Sequence, residues 1–143
     1  MSDTSSVAIS GSHETGADSR VELRLPADGA FVSVLRTLTA GLAARLDFTL
    51  DDIEDLRIAV SEAVAMVLDQ ADAGTELVCS FELHPGRLTL TITGAARTPE
   101  SPDYESFGWQ VLATLTTEAD IKASPGAYAV RLVVTSSLEP AVA

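Results

Sequence analysis

Cysteine occurs once in the 143 residues, at Cys79, so no disulfide can form within the chain, and a reducing compartment suits it. Histidine is nearly as scarce. His13 and His84 fall in unrelated segments, which leaves no cluster at metal-ligand spacing and excludes a metal centre built on His and Cys. Basic residues are few, nine Lys and Arg against 21 Asp and Glu, for a formal net charge of −12. Such a surface repels phosphate backbones and anionic lipid, which argues against direct nucleic-acid or membrane binding. It suits a basic protein partner, although acidity also serves solubility alone. No apolar run approaches the roughly 20 residues that span a bilayer. "MSDTSSVAISGSHETGADSR" lacks a basic start followed by an apolar stretch, so no secretory signal is expected. A cytoplasmic protein is the expectation.

What is present is one domain's worth of core: 46% of the chain is hydrophobic, and the length suits a single domain. Residues 1–20, rich in Ser, Thr, Gly, Asp and Ala, read as a disordered tail. "VELRLPA" alternates as a half-buried strand from Val21. From Asp28, a candidate N-cap, Phe31, Val34, Leu35, Leu38, Leu42 and Leu46 recur at helical spacing. Thr49 or Asp51 opens a second helix that runs to about Ala71, with Gly74 placed to terminate it. "ELVCSFEL" and "RLTLTIT" form a hairpin across "HPGR", where Pro85 and Gly86 suit a type II turn. Residues 94–106 read as a long loop, and long loops in compact domains tend to be lids or binding segments. A third helix over about Phe107 to Thr116, strands at 118–123 and "AYAVRLVVT", and a frayed end at 136–143 complete the chain. This order favours helices on one face of a mixed, mostly antiparallel sheet.

Few residues advertise chemistry on their own. Cys79, on a strand, reads as a small core hydrophobe. Ser61 has no flanking glycines and is not a hydrolase elbow. Asp51, Asp52, Glu54 and Asp55 suit a solvated helix start, and Glu62 alone reads as a solvated helix residue.

The order of elements, the "DLRIAVSEAV" helix, the long loop, "SFGWQVLATLTTEADI" and "GAYAVRLVVT" together resemble the RsbW-type anti-sigma factors. These are small serine kinases of the histidine-kinase-like (GHKL) ATPase superfamily, and the similarity spans roughly residues 20–135. The nearest likeness is to an actinobacterial branch with eroded nucleotide motifs. The resemblance implies an α+β, two-layer α/β sandwich of the Bergerat type, with about three helices on one face of the sheet.

It also implies a site. Glu62 matches the acid of the family's "E…N" helix, which orients or deprotonates the attacking hydroxyl. Met66 stands where an amide would ligate magnesium, and a thioether is a poor ligand for a hard cation. Met66 is expected to pack beside Ile58 and Ala65. Gly94 falls at the aspartate that anchors adenine, and the following glycines fall near Ala96 and Thr98. In "SFGW", Ser106 replaces the first glycine of a phosphate-cradling turn, Gly108 survives, and Trp109 takes a leucine's place. No Lys or Arg lies between Arg97 and Lys122 to balance triphosphate charge. Each lost charge-assisted hydrogen bond is worth roughly 1.5–3 kcal/mol, so two cost about 10²- to 10⁴-fold in affinity.

The resemblance therefore points to an anti-sigma factor that sequesters an alternative sigma factor, is released by a STAS-type anti-anti-sigma protein, and pairs as a homodimer, with ATP and magnesium weak or absent. Arg36 and Arg45, in the first helix, are carried over as partner contacts. Two alternatives stay open. One is an active serine kinase that phosphorylates its antagonist. The other is a small-ligand sensor using a remnant pocket around Met66 and Trp109.

Overall fold

A computed structural model describes residues 6–13 and 19–138. Six strands form one sheet: β1 (Ala8–His13), β2 (Ser19–Pro26), β3 (Glu76–His84), β4 (Arg87–Ala96), β5 (Glu118–Ser124) and β6 (Gly126–Thr135). Their order is β1-β2-β3-β4-β6-β5. Every pairing is antiparallel, so the expected mixed sheet is corrected to a purely antiparallel one. Three helices accompany it: α1 (Val32–Arg45), α2 (Leu50–Gln70) and α3 (Phe107–Leu115). The α+β architecture stands as expected.

Alternation places the core. Leu77, Cys79, Phe81 and Leu83 of β3 point to one face, and Leu88, Leu90 and Ile92 of β4 join them in register. α2 packs on β4 and β6 and is flanked by α1 and α3. It buries Leu56, Val60, Ala63, Val64 and Val67, which recur three or four residues apart. Cys79 is fully buried, and burial pushes its thiol up to about 12, so it packs as a small apolar residue.

Helix starts follow local chemistry. Asp28 caps a single 3-10 turn, Gly29–Phe31, and α1 begins only after it. Thr49 and Asp52 form a reciprocal capping box at the start of α2. α2 ends at an extended Ala71, and Gly74, with φ +76, serves the turn into β3 rather than the helix end.

Two corrections concern the ends. Ala8–His13, expected within a disordered tail, is a strand on the open edge of β2. It buries no described side chain and is held by backbone pairing. The rest of that expected tail, residues 1–5 and 14–18, and also residues 139–143 lie outside the described residues. Ser136–Leu138, expected to fray, are tied down. Ser136 N–H donates to the Gly86 carbonyl (2.8 Å), while Ser137 donates to Asp52 Oδ2 from its backbone (3.0 Å) and its hydroxyl (2.9 Å).

Asp52 thus joins the start of α2 to the end of β6. Burial pushes its carboxyl up, but the hydrogen bonds from Ser137 and Thr49 outweigh that and leave it below the ordinary value. A carboxyl depressed in the folded state adds stability above its unfolded pKa and loses it as pH falls through the folded one. Asp52→Ala is therefore expected to melt below the wild type at neutral pH, with the gap closing below about pH 4. Thermal melts across that range check it.

Candidate functional site

The site is assembled around α2. Glu62 and Met66 lie one turn apart, half-buried, and face the first turn of α3. A Cβ placed on Gly108 would stand 3.2 Å from Glu62 Oε2 and 3.6 Å from Met66 Sδ. The structure therefore brings Glu62, Met66 and Gly108 together. The positive end of the α3 dipole attracts the Glu62 carboxylate. Met66 packs against the core. Ile58 and Ala65 do not accompany it, because both are exposed on the solvent side of α2.

Gly94 lies on the helix-facing side of β4, which continues to Ala96, so the loop begins at Arg97 rather than at Gly94. The approach of α2 here is close. A Cβ at 94 would fall 2.9 Å from Val67 Cγ1 and 3.1 Å from Ala71 Cβ. Tyr128 of β6 is paired directly opposite. Burial raises the Tyr128 hydroxyl pKa, and Tyr104, Asp69, Asp103 and Glu100 raise it further. Ala96 is buried at the strand's end, opposite Gly126. Val67, Ala71 and Tyr128 were not among the expected site residues. The signal that points to them is a glycine inside a strand, which marks close backbone approach.

Ser106 is the N-cap of α3. Its Oγ accepts from Trp109 N–H at 3.1 Å and donates to the Asp103 carbonyl at 2.9 Å. The hydroxyl thus takes one of the amides that a phosphate-cradling helix start leaves open. Trp109 is half-buried and meets Tyr104 edge-on, with ring centroids 4.9 Å apart and planes at 78°. The loop is pinned at two further points: Arg97 N–H donates to Asp72 Oδ2 at 3.0 Å, and Glu100 N–H to Gln70 Oε1 at 2.8 Å. Ser106→Ala is expected to lower stability by about 1 kcal/mol and Ser106→Gly by only a few tenths. Urea titrations of both variants measure this.

Arg36 and Arg45 are not brought together. Arg36 turns toward α2, its Nη1 donating to Ser61 Oγ at 3.4 Å, and its buried Nε has no partner among the described residues. Arg45 is exposed at the other end of α1, beside Leu83 and Pro85. Nine residues make two and a half helical turns, so the two point to opposite sides. Among the described residues, no group of three or more His, Cys, Asp or Glu could hold a metal ion, and no helix is long and apolar enough to cross a membrane.

No protein-family model matches the chain. The chain is 43% identical over 88 residues to the serine-protein kinase RsbW of Halalkalibacterium halodurans, across 61% of this chain and 52% of that protein. It is 37% identical over 76 residues to the serine-protein kinase RsbW of Bacillus thuringiensis, across 51% and 47%. The chain thus spans about half the length of the curated relatives it matches. The crystal structure of the RsbU and RsbW domains of Rv1364c from Mycobacterium tuberculosis shares the fold, with a TM-score of 0.62 over 80% of this chain and 32% of that one at 18% identity. Over the shared stretch the chain is thus similar in sequence to RsbW serine-protein kinases, and over most of its length it shares the fold of the structure that contains an RsbW domain.

Proposed function

We propose that the protein is a cytoplasmic anti-sigma factor that sequesters an alternative RNA polymerase sigma factor. A STAS-type anti-anti-sigma protein releases it, and ATP binding is lost or weak. The packing at Gly94 carries the reading. Where the family's adenine-anchoring carboxylate belongs, the backbone lies against Val67 and Ala71, and a side chain has no room. Three features support it: a thioether at position 66, the α3 start closed by Ser106, and Asp69, Glu100 and Asp103 near Tyr128. A protein that does not turn over nucleotide acts through its surface. With a net charge of −12, that surface meets the basic, DNA-facing parts of a sigma factor. Homodimerisation belongs to the same proposal.

Charge attraction of this kind speeds encounter and weakens with salt. The purified protein, without nucleotide, is expected to capture one of the cell's alternative sigma factors at low salt and to lose about tenfold or more in affinity as the Debye length shrinks from about 10 Å to 3 Å. Capture of none of them overturns the proposal.

Two observations favour the active-kinase alternative. The matched relatives are serine-protein kinases, and Glu62 keeps its place beside Gly108. Incubation with labelled ATP and the antagonist separates the two readings, since stoichiometric phosphoserine requires a working kinase.

A further inference from the structure

Aromatic residues are scarce, 5% of the chain, yet Tyr104, Phe107 and Trp109 fall within six consecutive positions. Two of them face solvent: Tyr104 is 52% exposed and Phe107 77%, while Phe48 and Phe81 are buried. Three residues apart, their Cα atoms lie within about 11 Å of each other. The segment is ordered before any partner arrives. Trp109 stacks edge-on against Tyr104, Ser106 caps α3, and Asp72 and Gln70 hold the loop at Arg97 and Glu100. Tyr104 is held by its contact with Trp109 and Phe107 projects from an ordered helix start, so little backbone entropy is lost on binding, and aromatics of this kind supply the anchors that dominate interface energetics.

From Thr98 onward the charged residues of the loop and α3 are all acidic. Glu100, Asp103 and Glu105 of the loop are exposed. Asp69 of α2 lies close enough to act on Tyr128 together with Asp103 and Glu100. The stretch from Thr98 to Ile121 contains no Lys or Arg. An acidic rim around apolar anchors repels nucleic acid, and it repels a second copy of the same patch.

We infer that Tyr104 and Phe107, with the carboxylates of residues 100–105, form a docking surface for a basic segment of a partner protein that presents an apolar side chain flanked by Lys or Arg. This gives a position to the acidic surface invoked above and rests on that reading for the identity of the partner, but not for the partner's chemistry.

The test uses the full chain, with Trp109, its sole tryptophan, as reporter. The probe is an amphipathic peptide of Leu and Lys, compared with the same peptide carrying Glu in place of Lys. The Lys peptide is expected to change Trp109 emission saturably and the Glu peptide to leave it unchanged. Phe107→Ser and Tyr104→Ser each keep the net charge and are expected to weaken the Lys peptide about tenfold, the loss of a single hot-spot anchor. Phe107→Ser is the cleaner of the two, since Tyr104 also holds the loop through Trp109. Binding that is equally tight in Phe107→Ser reports diffuse charge attraction and overturns the inference. So does failure of the Lys peptide to bind, or a wild-type dimer that Phe107→Ser turns into a monomer. Repeating the comparison with the captured sigma factor separates the two readings. Capture unaffected by Phe107→Ser removes this surface and keeps the anti-sigma function. Aromatic-dependent peptide binding with no sigma factor captured keeps the surface and removes that function.

Discussion

Replacing Gly94 with aspartate, the residue that the family resemblance expects there, is expected to destabilise the protein by about 2–6 kcal/mol and not to install nucleotide binding. Two terms add. The new Cβ would sit 2.9 Å from Val67 Cγ1 and 3.1 Å from Ala71 Cβ, and overpacking of this kind costs roughly 1–3 kcal/mol. The carboxyl would then lie on the buried face of β4 among Val67, Leu77 and the facing Tyr128. An unpartnered buried polar group costs a further roughly 1–3 kcal/mol, and a charged one more. Gly94→Ala isolates the first term and should lose about 1–3 kcal/mol. Denaturant unfolding measures both variants, and calorimetry with Mg-ATP is expected to record no heat in either variant or in the wild type. A Gly94→Asp protein of wild-type stability that binds ATP would show that α2 can move aside and that the site is merely closed.

Leu112→Ala is the second large effect. Leu112 is the one fully buried residue of α3, a helix of nine residues, and so short a helix is marginal without tertiary packing. Truncating a buried leucine costs about 2–5 kcal/mol. Here the loss should fall first on α3 and on the loop that Ser106 and Trp109 tie to it. The expected signature is a red-shifted Trp109 emission and faster amide exchange across 104–116, at denaturant concentrations where the sheet remains protected. Simultaneous loss of every probe would instead mean that α3 is integral to one cooperative unit.

Much of this architecture is visible in the residues alone, because burial on one face leaves a period. β3 alternates buried and less buried positions, β4 does so apart from buried Thr89, α2 repeats its apolar residues every three or four positions, and Thr49, one of the two expected openings, caps α2. β1 escapes such reading because "AISGSH" buries none of its described side chains, so pairing leaves no pattern in its composition. The anchoring of Ser136–Leu138 escapes for a related reason: its partners, Gly86 and Asp52, are remote in sequence. At the site, Glu62, Met66 and Gly108 could be brought together from helical spacing and the resemblance. Gly94 could be read only as a missing aspartate, whereas its structural meaning is the proximity of α2. Arg36 and Arg45 show the reverse, since their separation of nine positions already places them on opposite sides of a helix.

The two rims of the sheet are unequal. β5 ends one side with Glu118, Asp120 and Lys122 exposed, ionic side chains that discourage a foreign backbone from aligning there. β1 ends the other side with no Asp, Glu, Lys or Arg, and with Ile9 58% exposed. Accretion of an additional strand is consequently one-directional: a stray polypeptide finds a receptive ledge beside Ala8–His13 and a guarded one beside Glu118–Ser124.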